Sequence, residues 1–556
     1  MQDPAKKPNT QTAADKLFNF RPVLFAAIFL ALGILFAYFH DLYGVSARWA
    51  FCLLPAAAAP FFFCRSKNAL FKTLLSELAL ALCFGAGVTA FSRQVEDYRS
   101  CGQYDGEYSV LGRVVDYKET DYGLRVTFDE LIVGTTEEEG RLVAYLPASF
   151  SDSIRLSDEI LLYGHVYTQT EVFDEYGFCA RDIDDGVRFF MRTESCSTTG
   201  RRFDAFLYLR ERIKDVVYAG MDETSAAVTM AVLTGDTSGI DGDLLENVRR
   251  GGIAHIFAVS GLHIGALYAF CLWLIKKTRL KTAAKPVRFA FTACMLLFYG
   301  GVCGYSDSVV RAIAMCLTVY ASALSGIAVD PLERVGLAAG IVLLISPVSL
   351  FEVGFQLSFV ACLGIVLLAK RLSRLVDLLL KKFVGLFVEP KPEVKTPLYR
   401  DGDPLTVGQR VYGNCISFLG VTLSAQIATA PVCLYAFGYV SGWAFLLNCL
   451  FVPLISAAFS ALLLFVTAAC ALPIAASKVV LYAPAACWSA ALLVFEVADF
   501  SGFAISGITP NWQFFVCYYA GLLFATDKWN APRWVRYSLC LICMAATAGI
   551  GITCAG

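Results

Sequence analysis

The chain has four histidines, at 40, 165, 255 and 263, and two of them flank a serine in one short stretch. That stretch reads Gly251-Gly252-Ile253-Ala254-His255-Ile256-Phe257-Ala258-Val259-Ser260-Gly261-Leu262-His263-Ile264-Gly265. A hydroxyl near an imidazole is the pairing that a serine nucleophile and its base use. Asn247 onward reads as the opening of an apolar helix, on which eight residues rotate by about 80°, so His255 and His263 share a side. Ser260 and His263 are then neighbours on one helix. That makes in-line attack awkward, and no third residue is evident to orient the base. Packing is the plainer reading. Ser260, Gly261 and Gly265 let helices approach closely, with the histidines hydrogen-bonding between them. Ionisable groups at membrane depth also mark cavities and the interiors of helix bundles.

Other polar residues interrupt apolar runs. Asp236 sits in the polar turn Gly235-Asp236-Thr237-Ser238-Gly239-Ile240-Asp241. Arg311 follows Asp307 by one helical turn, and a buried arginine in a membrane bundle needs an anion. Asp307, Glu352 or a passing phosphate would serve. Gln356, Ser358, Gln426 and Asn448 are uncharged groups that either line a wet path or bridge helices. Pro347, Pro431 and Pro453 are expected to break or kink their helices.

The elements that carry these residues are membrane spans. Of 556 residues, 57% are hydrophobic and 17% charged, against about 25% charged in a soluble domain. Val23–Phe39, Trp49–Cys64 and Leu74–Phe91 approach the length a spanning helix needs. More runs follow at 284–303, 308–325, 333–351, 353–370, 411–437, 442–468, 476–499, 512–526 and 533–554. The expected fold is an α-helical polytopic membrane protein with about 13 spans, plus amphipathic and short re-entrant helices. Basic loops orient it. Residues 1–22 form a cytosolic tail, and 23–91 hold three N-terminal spans. Residues 92–200 lie outside, 201–250 are amphipathic and re-entrant, and 251–556 form the main bundle, with 371–410 cytosolic. The 20 cysteines mostly sit singly in apolar runs as small hydrophobes. No metal site and no cofactor is expected, and no P-loop is present.

Residues 104–195 change character. Short β-rich runs at Tyr108–Tyr117, Gly123–Val133, Arg141–Tyr145, Glu159–Tyr167 and Val187–Arg192 predict a small antiparallel, OB-like barrel. Such barrels often bind single strands through basic grooves and aromatics. Here residues 92–200 hold ten Lys and Arg against 22 Asp and Glu, the wrong balance for capturing phosphates. A local basic strip of Arg113, Arg125 and Arg141 is the remaining candidate. Cys101, Cys179 and Cys196 could supply one disulfide in an oxidising exterior, the pair being open.

The segment from Gly235 to Gly265 resembles the signature of the ComEC-type competence proteins, bacterial inner-membrane channels for single-stranded DNA. Other blocks follow in order: Ser306–Ala312, then Ser346-Pro347 through Gly354-Phe355-Gln356-Leu357-Ser358-Phe359, then Gln426 with Pro431 and Asn448 with Pro453. The resemblance spans roughly 20–530. It implies DNA uptake in natural transformation from the plasma membrane. Implied partners are single-stranded DNA, membrane lipid, an outer DNA receptor, a cytosolic ATP-driven motor and a nuclease in trans, with homo-oligomerisation a further option. The family's metallo-β-lactamase-like domain has no zinc-ligand motif here, so the chain is not expected to be an enzyme. Asp236, His255, Ser260, His263, Arg311, Glu352, Gln356, Ser358, Gln426 and Asn448 are the translocation candidates. A small-solute transporter and an intramembrane serine hydrolase are the competing readings.

Overall fold

The computed structural model describes residues 21–43, 67–120, 123–146, 154–169, 173–174, 177–257, 259–326, 329–387, 407–474, 476–482, 485, 503–526 and 532–554. The expected tail at 1–20, the run Trp49–Cys64 and most of 476–499 lie outside these residues. Two apolar helices open the described chain, α1 (Pro22–Tyr43) and α2 (Lys67–Arg99). They pack closely because Gly33 and Gly87 carry no Cβ. One added there would lie 2.1 Å from the Phe84 carbonyl oxygen and 2.2 Å from that of Leu30. Asp41 and Arg99 pair at 2.9 Å near the two C-terminal ends, so the helices run parallel.

A β domain follows. It comprises β1 (Asp105–Thr120), β2 (Gly123–Val133), β3 (Thr136–Glu138), β4 (Arg141–Leu146), β5 (Asp158–Thr168), a short α3 (Ala180–Asp185) and β6 (Val187–Arg201). β1 pairs antiparallel with both β2 and β5. β2 pairs antiparallel with β4, and β6 with β5. β4 and β6 pair in parallel. The five long strands therefore follow one another in a closed cycle. The expected all-antiparallel sheet is corrected to a mixed one, because β6 returns to the free edge of β4 after β5 has crossed to β1. Alternate side chains along β2 are buried, and Val110, Val114, Phe128, Leu142, Leu162 and Phe189 fill the core.

The chain re-enters the bundle through α4 (Ala205–Gly220), α5 (Glu223–Thr234) and α6 (Gly242–Arg250). The main helices then come in order: α7 (Gly261–Lys277), α8 (Lys285–Val302), α9 (Asp307–Ser325), α10 (Pro331–Ile345), α11 (Val353–Phe387), α12 (Val407–Phe437), α13 (Ala444–Cys470), α14 (Trp512–Phe524) and α15 (Arg533–Cys554). β7 (Tyr439–Ser441), between α12 and α13, pairs antiparallel with β8 (Ala504–Ser506), which precedes α14. Seven segments among the described residues are long and apolar enough to cross a membrane.

Two expectations are revised. α11 runs for 35 residues, about 50 Å, so the helix continues beyond the apolar run expected at 353–370, through 371–387. The Asp377 carboxylate holds this extension together, accepting from Lys381 one turn on and from Tyr412 of α12, each at 2.7 Å. Pro431 and Pro453 lie inside their helices without breaking them, whereas Pro347 opens a 3-10 turn, Pro347–Phe351. α13 does not run alongside one neighbour. Near its start Ala444 and Leu447 press on Gly252 and Gly251, in its middle Phe459 meets His263, and beyond its end the Leu472 carbonyl accepts from Arg212 of α4 at 2.8 Å. It crosses the bundle.

Candidate functional site

The stretch around His255 is not one helix. α6 stops at Arg250, Ala254–Ile256 form a single 3-10 turn, and a new helix, α7, starts at Gly261. Gly252 takes a left-handed backbone conformation at φ 75° and packs where a side chain would collide with Ala444. Ser260 is the cap of α7. Its hydroxyl oxygen accepts from the Leu262 N–H at 3.3 Å, while Nδ1 of His263 accepts from the Ser260 N–H at 3.0 Å. This is the reciprocal capping arrangement with His in the place usually held by Glu or Gln. The expectation that His255 and His263 share a helical side is overturned, because the helix breaks between them. His255 is exposed and His263 is 2% exposed.

Nδ1 of His263 is an acceptor, so a neutral ring carries its proton on Nε2. The ring lies 4.8 Å from that of Phe459. Phe459 also meets Tyr299, whose hydroxyl donates to the Leu233 carbonyl at 2.6 Å. These contacts tie α5, α7, α8 and α13 around the break. α5 has every residue from Ser225 to Thr234 buried, although it is too short to span.

Arg311 stands beside this junction, because Gly261 of α7 approaches its neighbour Ala312. It is 1% exposed, and its Nη2 donates to the Ser308 hydroxyl at 2.8 Å. The guanidinium carbon lies 5.7 and 5.5 Å from the ring centres of Phe355 and Phe359. These two rings, one turn apart on α11, are cation–π partners that the sequence reading did not single out. The side chain of Asp307 falls outside the described residues. Glu352 is half-buried between the 3-10 turn and α11, and its carbonyl accepts from the Gln356 N–H at 3.0 Å. Gln356 in turn donates to the Leu350 carbonyl at 3.2 Å, which holds the 3-10 turn against the helix. Ser358 is half-buried on α11.

The remaining candidates lie apart. Gln426 belongs to α12, which packs on the middle of α11 where Gly364 meets Ala428 and the Ser424 carbonyl. Asn448 lies near the start of α13 and is buried. Gln426 Nε2 and Asn448 Oδ1 are both buried with no hydrogen-bond partner among the described residues. Asp236 sits at the junction with the β domain. Its carboxylate accepts from the backbone and hydroxyl of Ser238 at 3.0 and 2.6 Å and lies 4.0 Å from Arg210. Arg210 also faces Asp116 of β1 at 3.8 Å. Loss of water raises the Asp116 carboxyl above its ordinary range, with Arg210 opposing. The candidates therefore form a cluster at the α6–α7 break, a cluster at the β-domain junction and isolated groups deeper in the bundle.

The junction holds a residue whose role spacing alone did not show. Glu211 reads as one charge on the polar face of an amphipathic helix, yet it is 6% exposed. Its carboxylate accepts from the Leu156 N–H at 2.8 Å, clamping the β domain on α4. Lys214 donates to the Tyr117 hydroxyl at 2.8 Å beside it. The basic strip loses a member, because Arg113 is consumed by Asp129 at 2.9 Å, Glu130 at 3.0 Å and Asp204 at 3.6 Å. No disulfide joins Cys101, Cys179 and Cys196 among the described residues.

Long apolar helices interrupted beside a crossing helix, with an inserted β domain, define a polytopic membrane-type protein. Residues 232–532, more than half of the chain, match the family model described as Competence protein, and the chain belongs to that family. It is similar to ComE operon protein 3 of Bacillus subtilis (strain 168), with 26% identity over 263 residues, covering 47% of this chain. The match spans 28% of that relative's own length. No solved structure matches.

Proposed function

We propose that this chain forms an inner-membrane channel through which single-stranded DNA enters the cell during natural transformation. The carrying observation is the interruption from Gly251 to Ser260, which lies inside the family-matched region. Irregular backbone at membrane depth is tolerated where it is packed in protein or lines a wet cavity. The amides of Gln426 and Asn448 each bury an atom with no hydrogen-bond partner among the described residues, which supports the wet reading.

On this reading the chain crosses the membrane about 13 times, by the distribution of its basic loops, with the β domain outside. The cyclic pairing of its five long strands supports an OB-like barrel. Its acidic surface and the neutralised Arg113 make that barrel a positioning module and not a trap for DNA. The channel itself does no chemistry. An ATP-driven motor docking at the α11 extension, a DNA receptor and a nuclease act as separate partners. The Ser260 hydroxyl also lies 3.3 Å from Nδ1 of His263, but both groups serve the cap of α7, which favours a structural role over the hydrolase reading. Deleting the gene and following labelled DNA tests the proposal. The label should stay nuclease-accessible at the cell surface. Unchanged entry into the cytosol overturns the reading.

A further inference from the structure

A cleft of about 440 Å3 opens where α2, α3, the end of α10 and the Pro347 turn meet, away from the α6–α7 break. Its polar wall carries Arg93, Gln94, Asp97, Tyr98 and Arg188. Its apolar lip is Leu344 and Ile345, which are 59% and 70% exposed. Gln94 is already used, donating to the Ser346 hydroxyl at 3.2 Å and accepting from the Val348 N–H at 3.1 Å. Tyr98 is 1% exposed, and its hydroxyl has no hydrogen-bond partner among the described residues. Arg188 donates from Nη1 to the Glu139 carbonyl, but its buried Nε is unmatched. Arg93 and Asp97 stand one turn apart on α2. Opposite charges at that spacing can pair, but no ion pair joins these two among the described residues, and both line the cleft.

We infer that this cleft binds the headgroup of a zwitterionic, amine-bearing phospholipid. The phosphate sits between Arg93 and Arg188 and accepts from the Tyr98 hydroxyl, while the headgroup ammonium meets the Asp97 carboxylate. The acyl chains run down over Ile345 and Leu344. The polar wall lies on the last two turns of a candidate membrane span, Glu77–Arg99, the end at which a spanning helix would meet lipid phosphates. A single cation would suit any anion. Separated, unbridged charges of both signs beside an exposed apolar lip fit a zwitterion attached to hydrocarbon. The site lies against α3 and β6 of the β domain, so a bound lipid would fix that domain on the bilayer. This inference is independent of what the channel carries.

The test uses the full chain in detergent, titrated with phosphatidylethanolamine or phosphatidylglycerol and read by native mass spectrometry and thermal shift. Phosphatidylethanolamine should bind and raise the melting temperature more than phosphatidylglycerol. Arg93→Gln should weaken binding by about tenfold, the usual cost of losing a charged hydrogen bond. Asp97→Asn should erase the preference between the two lipids. No hydrogen bond or ion pair holds Arg93 among the described residues, so its variant is expected to fold, which monodisperse elution checks. Equal binding of both lipids to the unaltered protein overturns the inference, as does unchanged lipid binding by Arg93→Gln. So does a variant that keeps its lipid but loses retention of single-stranded DNA, which would make the cleft a DNA contact.

Discussion

The Ser260 backbone N–H points at Nδ1 of His263, 3.0 Å away, while the Ser260 hydroxyl accepts from the Leu262 N–H. The two residues are one cap seen from both ends, and the cap starts α7 where the preceding backbone is broken. Asparagine is an equally good cap, whereas alanine costs about 1 kcal/mol. Ser260→Asn should therefore keep both the melting temperature and transformation, and Ser260→Ala should lower the melting temperature. A fluorophosphonate probe should leave Ser260 unlabelled. Loss of uptake in a fully stable Ser260→Asn variant would return the hydroxyl to a direct role.

Glu211 makes the β domain and α4 one unit through its contact with the Leu156 N–H. Glu211→Ala leaves that donor unsatisfied under the β domain, at a cost of about 1–3 kcal/mol. Hydrogen exchange should speed up at residues 154–158, with the inner strands of the β domain unchanged. Uniform protection across 154–158 would show that the clamp lies elsewhere.

Much of the fold was legible because period and length are coded locally. The β2 run was expected at Gly123–Val133 and is found there, since alternation with a turn at each end fixes a strand. α1 and α9 match their apolar runs within a few residues. The break before α7 was not legible. Apolar residues continue through it, and a cap with His at its third position does not match the usual serine-to-glutamate signal. Glu211 was misread for a related reason. Amphipathic spacing says which face is polar but not that a second domain covers that face. The α11 extension was missed because charges at Lys370, Arg371 and Arg374 end a membrane run without ending a helix.

Arg311 lies over Phe355 and Phe359, so stability at this point should depend on the pair and not on charge alone. Arg311→Lys keeps the charge but loses the planar face and the fork of donors. It should lower the melting temperature. Replacing both rings by leucine should remove about 1 kcal/mol, and the combined variant should lose less than the sum. Strict additivity in a double-mutant cycle would mean that the rings and the arginine do not act together.

Asn448 offers the sharpest separation of architecture from transport. Its side chain is buried on α13, and its amide oxygen has no hydrogen-bond partner among the described residues. An unmatched buried amide costs roughly 1–3 kcal/mol, and an apolar isostere relieves that cost. If the amide serves only packing, Asn448→Leu should be neutral or more stable and should transform normally. If it faces the path of a polar strand, the same variant should gain stability and lose uptake, because the wall becomes apolar where the cargo is not. The second outcome is the one expected here, read as an unchanged or raised melting temperature with transformation reduced by an order of magnitude. Gln426→Leu on α12 should behave in the same way, since its amide nitrogen is likewise buried and unmatched. Normal uptake in both variants, at unchanged or raised stability, would assign the amides to helix packing and remove them from the path.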